Sequence, residues 1–226
     1  MALAAAARRA PVPNLSIEQS CFISGAELVC GLDEVGRGAW AGPVTVGAVV
    51  VSAALPRIVK VRDSKALTVE EREALYPRIV RWALAYAVGH ASPAECDDLG
   101  MTAALRLAAE RALAALDGLK PDRIILDGNH DYLDQPDRVQ TVIDGDAHCL
   151  SVAAASVVAK VTRDRLMAAE AHCYPGFDFD SNRGYPSPRH RCALLGYGPT
   201  AIHRTSWIYM DNLPWALPAT AQGNLF

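Results

Sequence analysis

The chain has 226 residues, 51% of them apolar, with 22 Lys and Arg against 25 Asp and Glu. That length suits one domain with a full core, and no apolar run approaches the roughly eighteen residues that a membrane-spanning helix needs. A net charge of −3 speaks against indiscriminate nucleic-acid binding, yet residues 160–206 carry seven Lys/Arg against four Asp/Glu, with His172, His190 and His203 besides, so a local basic face is expected there. The six cysteines contain no Cys-x-x-Cys pair, which indicates neither a zinc site nor a disulfide framework and favours a reducing cytoplasm.

The opening residues, MALAAAARRAPVP, place their arginines after a very short apolar patch. This is the wrong order and length for a secretory signal, and a disordered tail is expected. Leu28, Val29 and Leu32 then predict a short buried strand that ends in Asp33 and Glu34. Neighbouring strand side chains point to opposite faces, so the two carboxylates meet only if the chain bends or if the ligand is large enough to touch both, as two metal ions or a metal with a phosphodiester would be. A Gly36-Arg37-Gly38 turn follows, and residues 43–52, dense in valine, predict a second strand antiparallel to the first.

The segment DSKALT runs from Asp63 to Thr68, where Thr68 with Glu71 forms a capping box opening a helix that carries Leu75, Ile79 and Trp82. Residues 85–90 predict a third strand. Ser92, Pro93 and Glu95 open another helix, and residues 101–116 show the Ala/Leu spacing of a core helix that stops near Gly118. Residues 123–126 predict a fourth strand stopping at Asp127-Gly128-Asn129, and residues 139–143 a fifth stopping at Asp144-Gly145-Asp146. A long helix is expected over 151–171, apolar all round in its first half and therefore buried. Beyond Tyr174 the composition turns to Pro, Gly and aromatics, and Ser187-Pro188 opens one more helix.

This order predicts an α/β fold: a mixed five-stranded sheet flanked by helices, with a small C-terminal helical extension. Ligands of open α/β sheets gather at the carboxyl ends of strands, and three strands here end in acids. Carboxylates without a cysteine or histidine cluster are hard oxygen ligands, suited to Mg²⁺ or Mn²⁺ and to phosphodiester hydrolysis assisted by two ions. A glycosidase would use two carboxyl groups and leave the others unexplained. Asp33, Glu34 and Asp127 close the first and fourth strands; the fourth acid is open between Asp144, Asp146 and Asp164. Read alone, Gly36-Arg37-Gly38 is a tight turn, Ser64-Lys65 is solvated surface, and Tyr185 is a packing aromatic.

Six segments in one order, GLDEVGRG, DSKALT, LDGN, GD with SVAAASVVAKVTRD, RGYPS and YGPTAIHRTSW, resemble the type 2 ribonuclease H family, ribonuclease HII, over residues 28–207. The resemblance implies an RNase H-like catalytic domain over 28–172, a C-terminal helical substrate-binding extension over 173–210, and tails at 1–27 (with the lead-in) and 211–226. It implies hydrolysis of RNA in RNA/DNA hybrids and cutting 5′ of ribonucleotides embedded in duplex DNA by a two-metal mechanism, leaving 5′-phosphate and 3′-hydroxyl ends. The family's four metal-binding catalytic acids fall on Asp33, Glu34, Asp127 and Asp146, with two Mg²⁺ or Mn²⁺ ions as cofactors. Its substrate contacts fall on Gly36, Arg37 and Gly38 (main chain toward the ribose 2′-hydroxyl), Ser64 and Lys65 (phosphate) and Tyr185 (ribonucleotide junction). His203 and Arg204 stand outside the catalytic set, as backbone contacts or solvated residues. Asp144 departs from the family, which usually has a basic residue there; an extra acid either strengthens metal binding or faces solvent. About thirty residues precede the first strand, too few for the additional N-terminal domain of the related type 3 enzymes. The expected partners are RNA/DNA hybrid and ribonucleotide-containing duplex DNA, with no membrane, and a monomer is the expected state.

Overall fold

Strand β1 (Leu28–Val35) runs through the middle of a five-stranded sheet and divides the core in two. The computed structural model describes residues 12–207 and 209–210; residues 1–11 of the expected N-terminal segment and the whole expected C-terminal tail, 211–226, lie outside these described residues. β1 pairs antiparallel with β2 (Val44–Ser52), which pairs antiparallel with β3 (Ala85–Ala91). On its other side β1 pairs parallel with β4 (Arg123–Asp127), and β4 parallel with β5 (Val139–Val142), giving the order β3-β2-β1-β4-β5.

The period of two decides what each face buries. Cys30 and Leu32 of β1, with Val44, Val46, Ala48 and Val50 of β2, pack under Ala104, Ala108 and Ala112 of a helix that spans Met101–Ala114. Val29, Val49 and Val51 face the opposite way, against a helix at Val69–Trp82 and the long helix at Leu150–Cys173. The long helix lies directly on the sheet because glycines let it: a Cβ at Gly31 would stand 2.3 Å from the Ser151 carbonyl carbon, and one at Gly47 2.5 Å from the Ala155 oxygen. The expected capping box forms, with the Thr68 hydroxyl accepting from Glu71 N–H, and the expected helix start at Ser92 forms a second, its hydroxyl accepting from Glu95 N–H.

In chain order the helices are α1 (Ser16–Ile23), α2 (Val69–Trp82), α3 (Pro93–Leu99), α4 (Met101–Ala114), α5 (Gly145–His148), α6 (Leu150–Cys173), α7 (Phe179–Asn182) and α8 (Pro188–Tyr197). Two of them correct the sequence reading. α1 lies in the expected lead-in and is anchored: its Glu18 carboxylate is fully buried and accepts from Ser151 N–H at 2.8 Å and the Ser151 hydroxyl at 2.7 Å. α6 has no side-chain cap of its own, so Glu18 supplies one from the far end of the sequence. The fifth strand stops at Val142, not at the acids: Ile143 is exposed, Asp144 is left-handed at φ 53°, and α5 begins at Gly145. The cause is the Gly145 N–H, which donates to the Asp127 carboxylate at 2.7 Å and turns the chain back toward β4.

A third cluster, Ala41, Met167, Phe177, Phe179, Ala193, Leu194 and Tyr209, holds the C-terminal helices against the β1–β2 connection. Packing α6 onto glycine leads to a test. Gly31→Ala should cost about 3 kcal/mol, or roughly 10 °C in Tm for a chain of this size, because α6 must move off the sheet. Gly196→Ala, where an added Cβ meets nothing within 4 Å, should leave Tm unchanged or slightly raised in thermal unfolding. Equal shifts would show that the close approach is dispensable.

Candidate active site

Parallel pairing places the first carboxylates. Leu32 of β1 registers with Leu126 of β4, so the next residues along, Asp33 and Asp127, are lateral neighbours. Asp33 shares the α6 face with Val29 and Gly31, whereas Glu34 falls on the α4 face, as strand alternation requires. The turn tied down by Asp127 and Gly145 then brings Asp146, 6% exposed, to the same end of the sheet, while Asp144 is exposed. Asp164 is engaged elsewhere, accepting from Lys160 at 2.8 Å with the Arg183 guanidinium 3.7 Å away.

The electrostatics of this cluster are those of crowded anions. Burial pushes the Asp33 carboxyl well above its ordinary range; the Ser156 hydroxyl opposes the shift, and the Asp127, Glu34 and Asp146 charges add to it. Burial and Asp127 raise Glu34, against Arg37 and Lys65. Asp146 is pushed up to about 6 by burial, Asp63 and Asp127, although the Lys65 ammonium stands 3.5 Å away. Burial works against the charge on Lys65, but Asp146, Asp63, Asp33 and Asp127 outweigh it and raise its pKa. Among the described residues no three acid, histidine or cysteine side chains converge tightly enough to enclose an ion as they stand. The donor chemistry still fits a hard divalent cation: all-oxygen ligands whose mutual repulsion a positive charge would relieve.

The DSK turn docks beside Asp33. Its Ser64 is buried and accepts from the Ser156 hydroxyl of α6 at 2.9 Å, and Arg72 donates to the Ser64 and Leu67 carbonyls at 2.7 Å each. Lys65 is left outside, its side chain 79% exposed.

On the other flank lies the Gly-Arg-Gly turn. Gly36 has φ +85° and its N–H donates to the Tyr185 hydroxyl at 3.1 Å, so two segments 149 residues apart meet there. The N–H groups of Arg37 and Gly38 find no acceptor among the described residues. Two fully buried guanidinium groups brace this loop: Arg163, which sequence reasoning missed, and Arg204, which with His203 was expected to be a backbone contact or a solvated residue and is instead buried. Arg163 donates to the carbonyls of Pro43 (2.9 Å), Ala41 (3.0 Å) and Arg183 (2.8 Å) and lies 5.5 Å from the Tyr185 ring centroid. Arg204 donates to the carbonyls of Arg37 (2.9 Å) and Gly42 (3.0 Å). The signal for Arg163 was a charge on the buried part of an apolar helix, where an arginine survives only with its donors filled. Tyr132 was missed too; its hydroxyl is buried without a partner among the described residues, and burial with the Glu34, Asp33 and Asp127 charges holds its pKa well up.

This architecture and its acids define a ribonuclease H-type hydrolase. Residues 30–210 match the family described as Ribonuclease HII. Ribonuclease HII of Streptomyces griseus is 56% identical over 206 residues, 89% of this chain and 86% of that protein. The crystal structure of ribonuclease H2 from Pyrococcus horikoshii superposes with a TM-score of 0.66 at 31% identity, covering 81% of this chain and 95% of that one. Bst-RNase HIII in complex with Mn²⁺ superposes over 66% of this chain and 56% of that one, with a TM-score of 0.52 at 25% identity. The chain belongs to the ribonuclease HII family, whose members depend on divalent metal ions and degrade RNA in RNA/DNA hybrids.

The raised acids have a signed consequence. A carboxyl whose folded pKa lies near 6 and whose unfolded value lies near 4 penalises folding above pH 6 and not below pH 4. In chelator-treated protein, the Tm of Asp146→Asn minus that of wild type should therefore grow as pH rises from 4 to 6 and level off above. A difference independent of pH would remove the repulsion from the account.

Proposed function

We propose that this chain is an endonuclease cutting on the 5′ side of a ribonucleotide, in RNA/DNA hybrids and at single ribonucleotides embedded in duplex DNA, leaving 5′-phosphate and 3′-hydroxyl ends. The observation that carries it is the Gly36 N–H to Tyr185 hydroxyl contact beside the buried carboxylates. It sets polar main-chain and hydroxyl groups beside the carboxylates, which supports a reading in which a sugar and a cation are met together. Asp33, Glu34, Asp127 and Asp146 are the residues that would hold Mg²⁺ or Mn²⁺. Two such ions, when bound, supply activation of the attacking water and neutralisation of charge on the leaving 3′ oxygen.

The chain's own residues do the rest. The carboxylates hold their negative charge at one end of the sheet, and Lys65, exposed and already drawn toward that charge, meets the phosphate. The Ser64 main chain is fixed by Arg72, which keeps the Lys65 stem in register with the acids. Because the Tyr185 hydroxyl accepts from Gly36, its own proton is free to donate to a 2′-hydroxyl, and the Arg37 and Gly38 N–H groups point a further pair of donors at the same sugar. A deoxyribose leaves these donors without a partner, which is how a polar site rejects the smaller sugar. Six free thiols accord with a reducing cytoplasm as the setting.

Turnover of a labelled DNA duplex carrying one ribonucleotide, with and without Mg²⁺ or Mn²⁺, tests this reading. Wild type should cut once, 5′ to the ribose, only with the ion present. Asp33→Asn should abolish cutting while leaving hybrid binding in place, and Asp146→Asn should cost orders of magnitude where Asp144→Asn costs far less. Near-wild-type turnover by Asp33→Asn, or the reverse ranking of the two later acids, would overturn the site.

A further inference from the structure

Behind Tyr185 lies a pair of histidines that the catalytic reading does not use. His190 is 0% exposed and His203 3%, and their Nε2 atoms are 2.9 Å apart, walled by Trp40, Phe177 and Phe179. Two imidazole nitrogens at that distance share one proton, so one ring donates and the other accepts. The outer nitrogens decide which. Thr200 N–H donates to His203 Nδ1 at 2.9 Å, so that nitrogen carries no proton and the His203 proton sits on Nε2. The Thr200 hydroxyl, which accepts from Ile202 N–H, has its own proton left to donate to the same Nδ1 at 2.8 Å. His190 Nδ1 lies 2.9 Å from the Tyr185 carbonyl oxygen, which can only accept, so His190 holds its proton on Nδ1 and accepts at Nε2. Both ends thus demand the same direction: Thr200 to His203 to His190 to Tyr185.

We propose that this buried histidine pair is a positioning element for sugar recognition, a chain of hydrogen bonds with one fixed direction that holds the Tyr185 main chain and thereby aims its hydroxyl at Gly36. The inference rests on the reading of Tyr185 as a sugar contact. Burial favours the neutral rings it needs, pulling His190 down and, with His190 beside it, His203 to about 4. The tautomers are opposite: His203 carries Nε2–H and His190 carries Nδ1–H.

The two positions therefore have opposite requirements. At 203 the functional atom is the ε donor to His190, which glutamine reproduces and asparagine does not. At 190 it is the δ donor to Tyr185, which asparagine reproduces and glutamine does not. We expect His203→Gln and His190→Asn to keep cleavage of a duplex with one embedded ribonucleotide within about threefold of wild type, and His203→Asn and His190→Gln to lose roughly tenfold or more, the cost of a buried hydrogen bond. The same amide ranking better at both positions would reduce the pair to space filling and overturn the proposal. Imidazole ¹⁵N spectra of the wild-type chain read the tautomers without any turnover: opposite tautomers support the chain, and identical ones, or ordinary titration of both rings, refute it even if no variant folds. Should wild type fail to cut the duplex while the tautomers are opposite, the sugar-contact reading fails and takes the positioning role with it; cutting without the crossover sinks the positioning role alone.

Discussion

A buried guanidinium must have its N–H groups filled, and in this protein the filling groups are the carbonyls of the β1–β2 connection and of Arg183. Arg163 and Arg204 are fully buried, and between them they bind the carbonyls of Arg37, Ala41, Gly42, Pro43 and Arg183. Each hydrogen bond to a charged group is worth about 1.5–3 kcal/mol, and leaving such a group unsatisfied costs more. The β1–β2 connection therefore has little freedom. With its carbonyls turned toward the arginines, Trp40 and Ala41 N–H given to the Gly184 carbonyl, Gly42 N–H to Ile202 and Gly36 N–H to Tyr185, the loop donors left without an acceptor among the described residues are those of Arg37 and Gly38. Gly184 itself can come this close only because it has no side chain: a Cβ there would stand 2.2 Å from the Ala41 oxygen.

The site thus divides into two halves held by opposite means. The carboxylate half is destabilised by its own charge, with Asp33, Glu34 and Asp146 all raised, and gains from any divalent cation. The loop half is rigid without a ligand, because cations already inside the protein organise its carbonyls. A phosphodiester is the same in RNA and DNA, so the first half has no means of telling the two apart; in the proposed function it is the second half that meets the sugar. On that proposal, recognition rests on main-chain groups held by buried side chains and is independent of the protonation state of the acids beside it.

Much of this was legible in the sequence where the determining contacts are local. The capping boxes at Thr68 and Ser92 need only four consecutive residues, and the short β1–β2 link forces the antiparallel pair. The Asp33-Glu34 pair and Asp127 stood out as acids closing apolar runs. What was not legible depends on partners far apart. α1 has no side-chain cap and exists through Glu18 reaching Ser151, 133 residues on. β5 ends early because Gly145 donates to Asp127, and spacing alone left Asp144 and Asp146 equivalent until that turn buried one and exposed the other. Arg163, Arg204, His190 and His203 act largely on main-chain carbonyls and N–H groups, which every residue possesses and which leave no trace in side-chain patterns.

The central claim is that the loop distinguishes sugars by hydrogen bonding to the 2′ oxygen, not by its size or the duplex shape it imposes. The most direct measurement is the cleavage rate, in the presence of Mn²⁺, of one DNA duplex carrying at a single position either a ribonucleotide or its 2′-deoxy-2′-fluoro counterpart, which keeps the sugar pucker and replaces the accepting oxygen by a poorly accepting fluorine. The account predicts cleavage 5′ to the ribose and a rate lower by about 10⁴ or more at the fluoro sugar. Rates within tenfold of each other would contradict it.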